Sequence, residues 1–210
     1  MDETQAATLD LAERVADRLC HDISSSAQAL ASGIDLLSEA RTDAERDEAT
    51  AFLGEALAAQ KFKVGYARRA YGLGSAASAA ELRMLADALY ADLRPTLDWT
   101  VEAPTLGPAA ARVLLLLLQI SADALAVGGV VRASSAGDGS LVAVDMAGGR
   151  ITVKDEVRAG LAGEPFAAGL GGRWVQGAYI AALAARAGGR VEVELGEGAA
   201  AIRVSLAPGA

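Results

Sequence analysis

Leu19-Cys20-His21-Asp22-Ile23-Ser24-Ser25-Ser26 holds the only histidine of the chain and lies near the middle of a long apolar pattern. Leu9, Ala12, Ala16, Leu19, Ile23, Leu30, Ile34 and Leu37 recur at steps of three and four residues or their sums. That spacing marks one face of a helix, and it predicts a single helix over Thr8 to Ala40. The pattern breaks at Arg41-Thr42-Asp43, where Thr42 or Asp43 can cap a second helix running to about Tyr71. Phe52, Leu53, Ala56, Ala59, Val64 and Ala67 form its inward face. Two long helices joined by a short loop make an antiparallel hairpin, assigned to residues 1–72. A lone hairpin buries little, so two copies are expected to complete a four-helix bundle as a homodimer.

Moving outward from the hairpin, Gly72 to Ser78 is a run of mostly small residues and the best domain boundary. Residues 80–210 form the second domain. A helix over 80–93 and a strand over Thr96 to Val101 come first. Pro108 then opens a very apolar helix that ends near Gly128-Gly129, with proline at the start and glycine past the end. Three β-type stretches follow, Val130 to Ser134, Leu141 to Met146 and Ile151 to Lys154, separated by Gly and Asp. A helix over about Gln176 to Ala187 and a hairpin of Arg190 to Leu195 with Ala200 to Leu206 complete the chain. The fold class is α+β: a helical hairpin, then an α/β sandwich whose mixed sheet carries helices on one face.

The 210 residues carry a net charge of -8 and a pI near 4.7. Such a chain lacks the basic face that a nucleic-acid groove needs and is not suited to an anionic membrane surface. Its longest strongly apolar run, Val113 to Leu118, is far too short to span a bilayer. The acidic start, Met1-Asp2-Glu3-Thr4, lacks the basic-then-apolar order of a signal peptide. Cys20 is the single cysteine, so no internal disulfide forms. These features predict a cytoplasmic protein. One histidine and one cysteine cannot build a His/Cys zinc site.

His21 lies opposite the apolar stripe. Its neighbours along the helix face are Arg14, Asp17, Arg18, Ser24, Ser25 and Gln28, all polar, while Leu19 and Ile23 lie about 200° round. The imidazole therefore points to solvent. An exposed imidazole keeps one ring nitrogen unprotonated near neutral pH and is a good nucleophile. Asp22, next in sequence, can hold the proton on the other nitrogen and orient the ring. The plain alternative is an ordinary surface histidine. Gly169 to Gly172 suggests a phosphate loop, but a flexible turn before a helix explains it better, because no lysine or fuller glycine pattern accompanies it.

The stretch Leu19 to Ser26 resembles the His-box of sensor histidine kinases, in which His-Asp or His-Glu opens a dimerisation and phosphotransfer hairpin. Arg18-Leu19-Cys20-His21-Asp22-Ile23-Ser24 through Gly33-Ile34-Asp35-Leu36-Leu37 is similar to the alphaproteobacterial ChpT-type histidine phosphotransferases. A His-box usually has proline five residues after the histidine; here Ser26 stands there, so no kink is expected. Arg112 to Leu125 resembles the helix that carries the magnesium- and ATP-binding asparagines of kinase catalytic domains, yet the chain contains no asparagine. Val142 to Gly149 stands where a kinase has Asp-x-Gly-x-Gly, but Asp145 is followed by Met146 and Ala147. Trp174 through Val193 resembles the helix, Gly-Gly turn and strand after the second glycine box, and that box is missing. The resemblance thus implies a degenerate GHKL, or HATPase-like, α/β sandwich.

It further implies a histidine phosphotransferase of a two-component phosphorelay. His21 would carry the phosphoryl group between receiver-domain aspartates, with Asp22 as its orienting partner. The family analogy points to a CckA-like hybrid kinase as donor and to CtrA-like and CpdR-like response regulators as acceptors, in cell-cycle regulation. The chain itself would need no cofactor, since the receiver supplies magnesium. A receiver would dock around His21 on Arg18, Ser25 and Gln28 of the first helix and on Lys61, Phe62, Tyr66 and Arg69 of the second. Two other readings remain: a non-catalytic dimeric scaffold or anti-sigma-type protein-binding module, and, disfavoured by the lost motifs, an ATP-dependent kinase.

Overall fold

Thirty-seven residues, Glu3–Glu39, form one uninterrupted helix, α1, in a computed structural model that describes residues 3–167 and 172–209. The helix starts earlier than the apolar pattern implies because Ala6 and Ala7 are strong helix formers. It passes straight through Ser26. That side chain is buried, and its hydroxyl donates to the carbonyls of Asp22 (3.1 Å) and Ile23 (3.2 Å), so the position keeps a full helical hydrogen-bond set.

A capping box starts the second helix, α2, Asp43–Tyr71. The Glu45 amide donates to the Thr42 hydroxyl at 3.2 Å, and the Arg41 and Thr42 amides donate to the Glu45 carboxylate at 2.7 and 2.9 Å. Of the two proposed caps, Thr42 is therefore the one used. Residues 8–68 form one compact unit and residues 69–210, with 1–7, another. Inside the first, Gly33 lies against Leu53 and Phe52: a Cβ there would meet Leu53 Cδ2 at 2.6 Å. The hairpin is thus antiparallel, with facing residue numbers that sum to about 86. The inward face of α2 is only partly as expected. Leu53, Ala56, Val64 and Ala67 are half-buried, while Phe52 and Ala59 are exposed. Near its C-terminal end a different face is covered, through Tyr66 and Ala70.

The second unit centres on helix α4, Pro108–Ala124, whose Leu114 to Leu118 are all fully buried. A helix apolar on every side must sit in the middle of a core, and each leucine contributes roughly 1.5–3 kcal/mol by its burial. Around it are α3, Ala79–Tyr90, and α6, Trp174–Arg186. The sheet contains β2, Thr96–Val101, β4, Val130–Ser135, β5, Leu141–Ala147, β6, Arg190–Gly196, and β7, Ala199–Ser205. Its order is β2-β4-β5-β7-β6, with β2 and β4 parallel and the other pairs antiparallel. A separate two-residue pair joins β1, Ala77–Ser78, to β3, Thr105–Leu106. Register places Val131, Ala133, Val142, Val144, Met146, Ile202 and Val204 on the buried face. The opposite face carries a charge ladder. Arg132 donates to Asp98 at 2.7 Å, and Arg203 donates to Asp145 at 3.2 Å and Glu194 at 2.8 Å.

One sequence expectation fails here. Ile151 to Lys154 is not a strand but an irregular segment, held where the Thr152 amide donates to the Ala124 carbonyl at 2.9 Å. It leads into a short helix that the periodicity did not reveal, α5, Asp155–Leu161. This helix owes its place to two glycines. A Cβ on Gly160 would lie 2.4 Å from the Trp174 carbonyl, and one on Gly177 would lie 2.4 Å from the Val157 carbonyl. The α5 and α6 backbones therefore touch, which no pattern of apolar side chains announces.

Candidate phosphoacceptor site

His21 stands three residues past Arg18 and one residue before Asp22, on the uninterrupted α1. Its side chain is 78% exposed. Nδ1 lies 3.3 Å from Asp22 Oδ1. With the proton on Nδ1, this contact is a hydrogen bond to the carboxylate, and Nε2 keeps its lone pair facing water. The other carboxylate oxygen, Oδ2, accepts from Arg18 Nε at 2.8 Å. Arg18, Asp22 and His21 thus form a chain of polar contacts on one helical turn. Cys20 beside them is exposed.

The expected docking residues divide. Ser25, Gln28 and Lys61 are exposed and Phe62 is half-buried. The pairing seen at Gly33 and Leu53 brings Lys61 and Phe62 level with residues 24 and 25, within a turn of His21. Arg18 is turned to Asp22 rather than left free on the face. Tyr66 is a correction: it is only 2% exposed, its ring 5.6 Å from that of Phe62, so it offers no surface to a partner. Arg69 is another. Its guanidinium is engaged near the end of α2, donating to the Ala76 carbonyl at 3.2 Å and the Ser75 hydroxyl at 3.5 Å. The Tyr66 error has a physical origin, because a tyrosine carries both a polar tip and a large apolar ring, and here the ring decides.

The second unit has two further concavities of note. Between α4 and α6, Asp123 pairs with Arg173, and Gln176 donates to Gln119 at 3.2 Å. Asp123, Arg173 and Gln176, with Ile120, Thr152 and Val157, leave about 10 Å³, room for roughly one water. On the open face of the sheet, a groove of about 510 Å³ runs beside Arg132, Asp145, Glu194 and Arg203. Both of its guanidiniums are already bound to carboxylates. Gly169 to Gly171 of the suspected phosphate loop lie outside the described residues.

Residues 79–199 match the family model of the histidine phosphotransferase C-terminal domain. Among solved structures, the chain is similar to a bacterial phosphotransferase at 22% identity, over 94% of this chain and 96% of that one, with a TM-score of 0.78. A lower similarity links it to the Acinetobacter baumannii histidine kinase AdeS, at 9% identity over 90% of this chain and 98% of that one, TM-score 0.48. The catalytic domain of histidine kinase ThkA is similar at 13% identity over 63% of this chain and 95% of that one, TM-score 0.46. No curated protein matches the sequence. By class, then, the molecule is a helical hairpin followed by an α/β sandwich, the fold it shares with that bacterial phosphotransferase. The chain belongs to the histidine phosphotransferase family, whose C-terminal-domain model spans more than half of its length.

Proposed function

We propose that His21 is the phosphoacceptor of a two-component phosphorelay and that the chain passes the group between receiver domains. The observation that carries this reading is the exposed imidazole with Nδ1 held by Asp22 and Nε2 open. In the forward step the Nε2 lone pair attacks the phosphorus of a receiver's aspartyl phosphate. The P–N bond forms as the P–O bond to that aspartate breaks, and the carboxylate leaves. The ring gains positive charge, which the Asp22 carboxylate at Nδ1 offsets. The reverse step delivers the group to a second receiver's aspartate. Receiver-bound magnesium and a receiver lysine stabilise the metaphosphate-like transition state, so this chain chiefly supplies a placed nitrogen.

The partners in this reading are the receiver domain of a CckA-like hybrid histidine kinase and CtrA-like and CpdR-like response regulators, bound on the α1 surface with Ser25, Gln28, Lys61 and Phe62. A homodimer completes the hairpin. Leu9, Ile23, Ile34, Leu37, Phe52 and Leu57 are exposed apolar side chains of residues 8–68, enough to support a partner helix pair. ATP has no part in the reaction. The missing asparagines and the Met146-Ala147 that follow Asp145 in place of a glycine box support this. Phosphate from a labelled receiver gives an acid-labile, base-stable label on the protein, and His21→Ala, a surface change worth within about ±0.5 kcal/mol of stability, abolishes it. Label retained on a folded His21→Ala protein, or none on the wild type with any receiver, overturns the proposal.

A further inference from the structure

Neighbouring residues on a helix point about 100° apart and do not face each other. An aspartate next to a histidine therefore meets the ring in only a restricted set of its rotamers. Asp22 is 44% exposed at its side chain, so packing alone does not fix its rotamer. Arg18 does. One turn earlier, its Nε donates to Asp22 Oδ2 at 2.8 Å, which leaves Oδ1 directed at His21 Nδ1, 3.3 Å away. The Arg18 side chain is 26% exposed, so its stem is partly packed and its reach restricted.

Resting on the phosphoacceptor reading of His21, we propose that Arg18 is a positioning residue: it holds Asp22 in the rotamer that keeps the proton on Nδ1 and so leaves Nε2 as the nucleophile. Arg18 does not touch the reacting atoms and acts only through Asp22. The orientation also argues for a specific role. An i,i+4 pair with the cation on the N-terminal side runs against the helix dipole and is the weaker arrangement for helix stability. Arg18 and Asp22 are thus poorly explained as a helix-stabilising pair and well explained by what the carboxylate does next. Arginine suits the task better than lysine, because a planar guanidinium fixes the plane of the carboxylate it binds.

His21 is the only histidine of the chain, so its ring nitrogens give one unambiguous set of signals in the intact, 15N-labelled protein. The test records long-range proton–nitrogen spectra of the neutral ring in the wild type, Asp22→Ala, Arg18→Gln and Arg18→Lys. The wild type shows an excess of the Nδ1–H tautomer, Asp22→Ala loses it, Arg18→Gln loses at least half of it, and Arg18→Lys retains more than Arg18→Gln. Transfer from a phosphorylated receiver follows the same order. For Arg18→Gln the maximal rate falls about tenfold, the scale of lost outer-shell partners, at an unchanged half-saturating receiver concentration. An unchanged tautomer ratio in Arg18→Gln, or a loss seen only as weaker receiver binding, overturns the positioning role. Absence of transfer in every variant overturns the phosphorelay reading instead, and the spectra still decide whether Arg18 governs the ring.

Discussion

The two units of this molecule bury their apolar residues in opposite ways. In residues 8–68 only Ser26, Gly33, Ala49 and Tyr66 are buried, and Leu9, Ile23, Ile34, Leu36, Leu37, Phe52 and Leu57 are exposed. In residues 69–210 five consecutive leucines of α4 have no exposure at all, and the sheet beneath them is sealed by Val131, Val144, Ile202 and Val204. The α/β unit is a finished core. The hairpin leaves its apolar side chains exposed, the face on which a second copy is proposed to pack, and it is the unit that carries His21.

Four substitutions probe this contrast, in decreasing order of effect. Ile23→Asp, on the exposed stripe, places a carboxylate where a second hairpin is proposed to pack, and an unpaired buried charge is very costly. Light scattering should find a monomer in place of a dimer, and helical circular dichroism should fall, while the α/β unit keeps its melting transition. Leu116→Ala does the reverse. It removes buried volume from α4 and should destabilise the second unit by about 2–5 kcal/mol in denaturant melts, with no change in self-association.

The smallest effect compares the two capping boxes, one in each unit. At α2, backbone amides of Arg41 and Thr42 hold the Glu45 carboxyl below its ordinary range; at α3, the Ser78 amide and hydroxyl do so for Glu81. A carboxylate with a depressed value in the folded state stabilises above the unfolded value, near 4.5, and that contribution is lost as pH falls through the folded value. Both side chains are fully exposed, so the effect is slight. Glu45→Gln should flatten the acid limb of hairpin unfolding alone, and Glu81→Gln that of the α/β unit alone, as followed by hydrogen exchange between pH 3 and 6 in each variant.

Much of this arrangement was legible in the residues. The three-four spacing of α1, the Thr42 break, the proline that opens α4 and the Gly-Gly end of α6 each act locally, through helix geometry and capping, and the structure has them where the sequence does. What escaped depends on contacts far along the chain. Ile151 to Lys154 is β-branched and looks like a strand, yet no strand of the sheet pairs with it and it is tied to the end of α4 instead. Helix α5 exists because Gly160 meets Gly177 across a backbone crossing, a match between positions seventeen residues apart. At the site, His21 and Asp22 were visible as neighbours. The engagement of Arg18 was open to the same reading, since four residues separate it from Asp22, but a polar helix face offers several partners and spacing alone does not rank them. Tyr66 was misplaced because its burial follows a second covered face of α2 that the inward stripe did not show.

The central claim is that Nε2 of His21 accepts the phosphoryl group while Asp22 keeps the proton on Nδ1. The most direct measurement is nitrogen and phosphorus NMR of the 15N-histidine protein after incubation with a phosphorylated receiver and magnesium. The single histidine then reports both the residue and the atom. The account predicts that the Nε2 resonance moves and couples to phosphorus while Nδ1 remains protonated. Phosphorus on Nδ1, or a labelled protein whose histidine signals do not change, would contradict it.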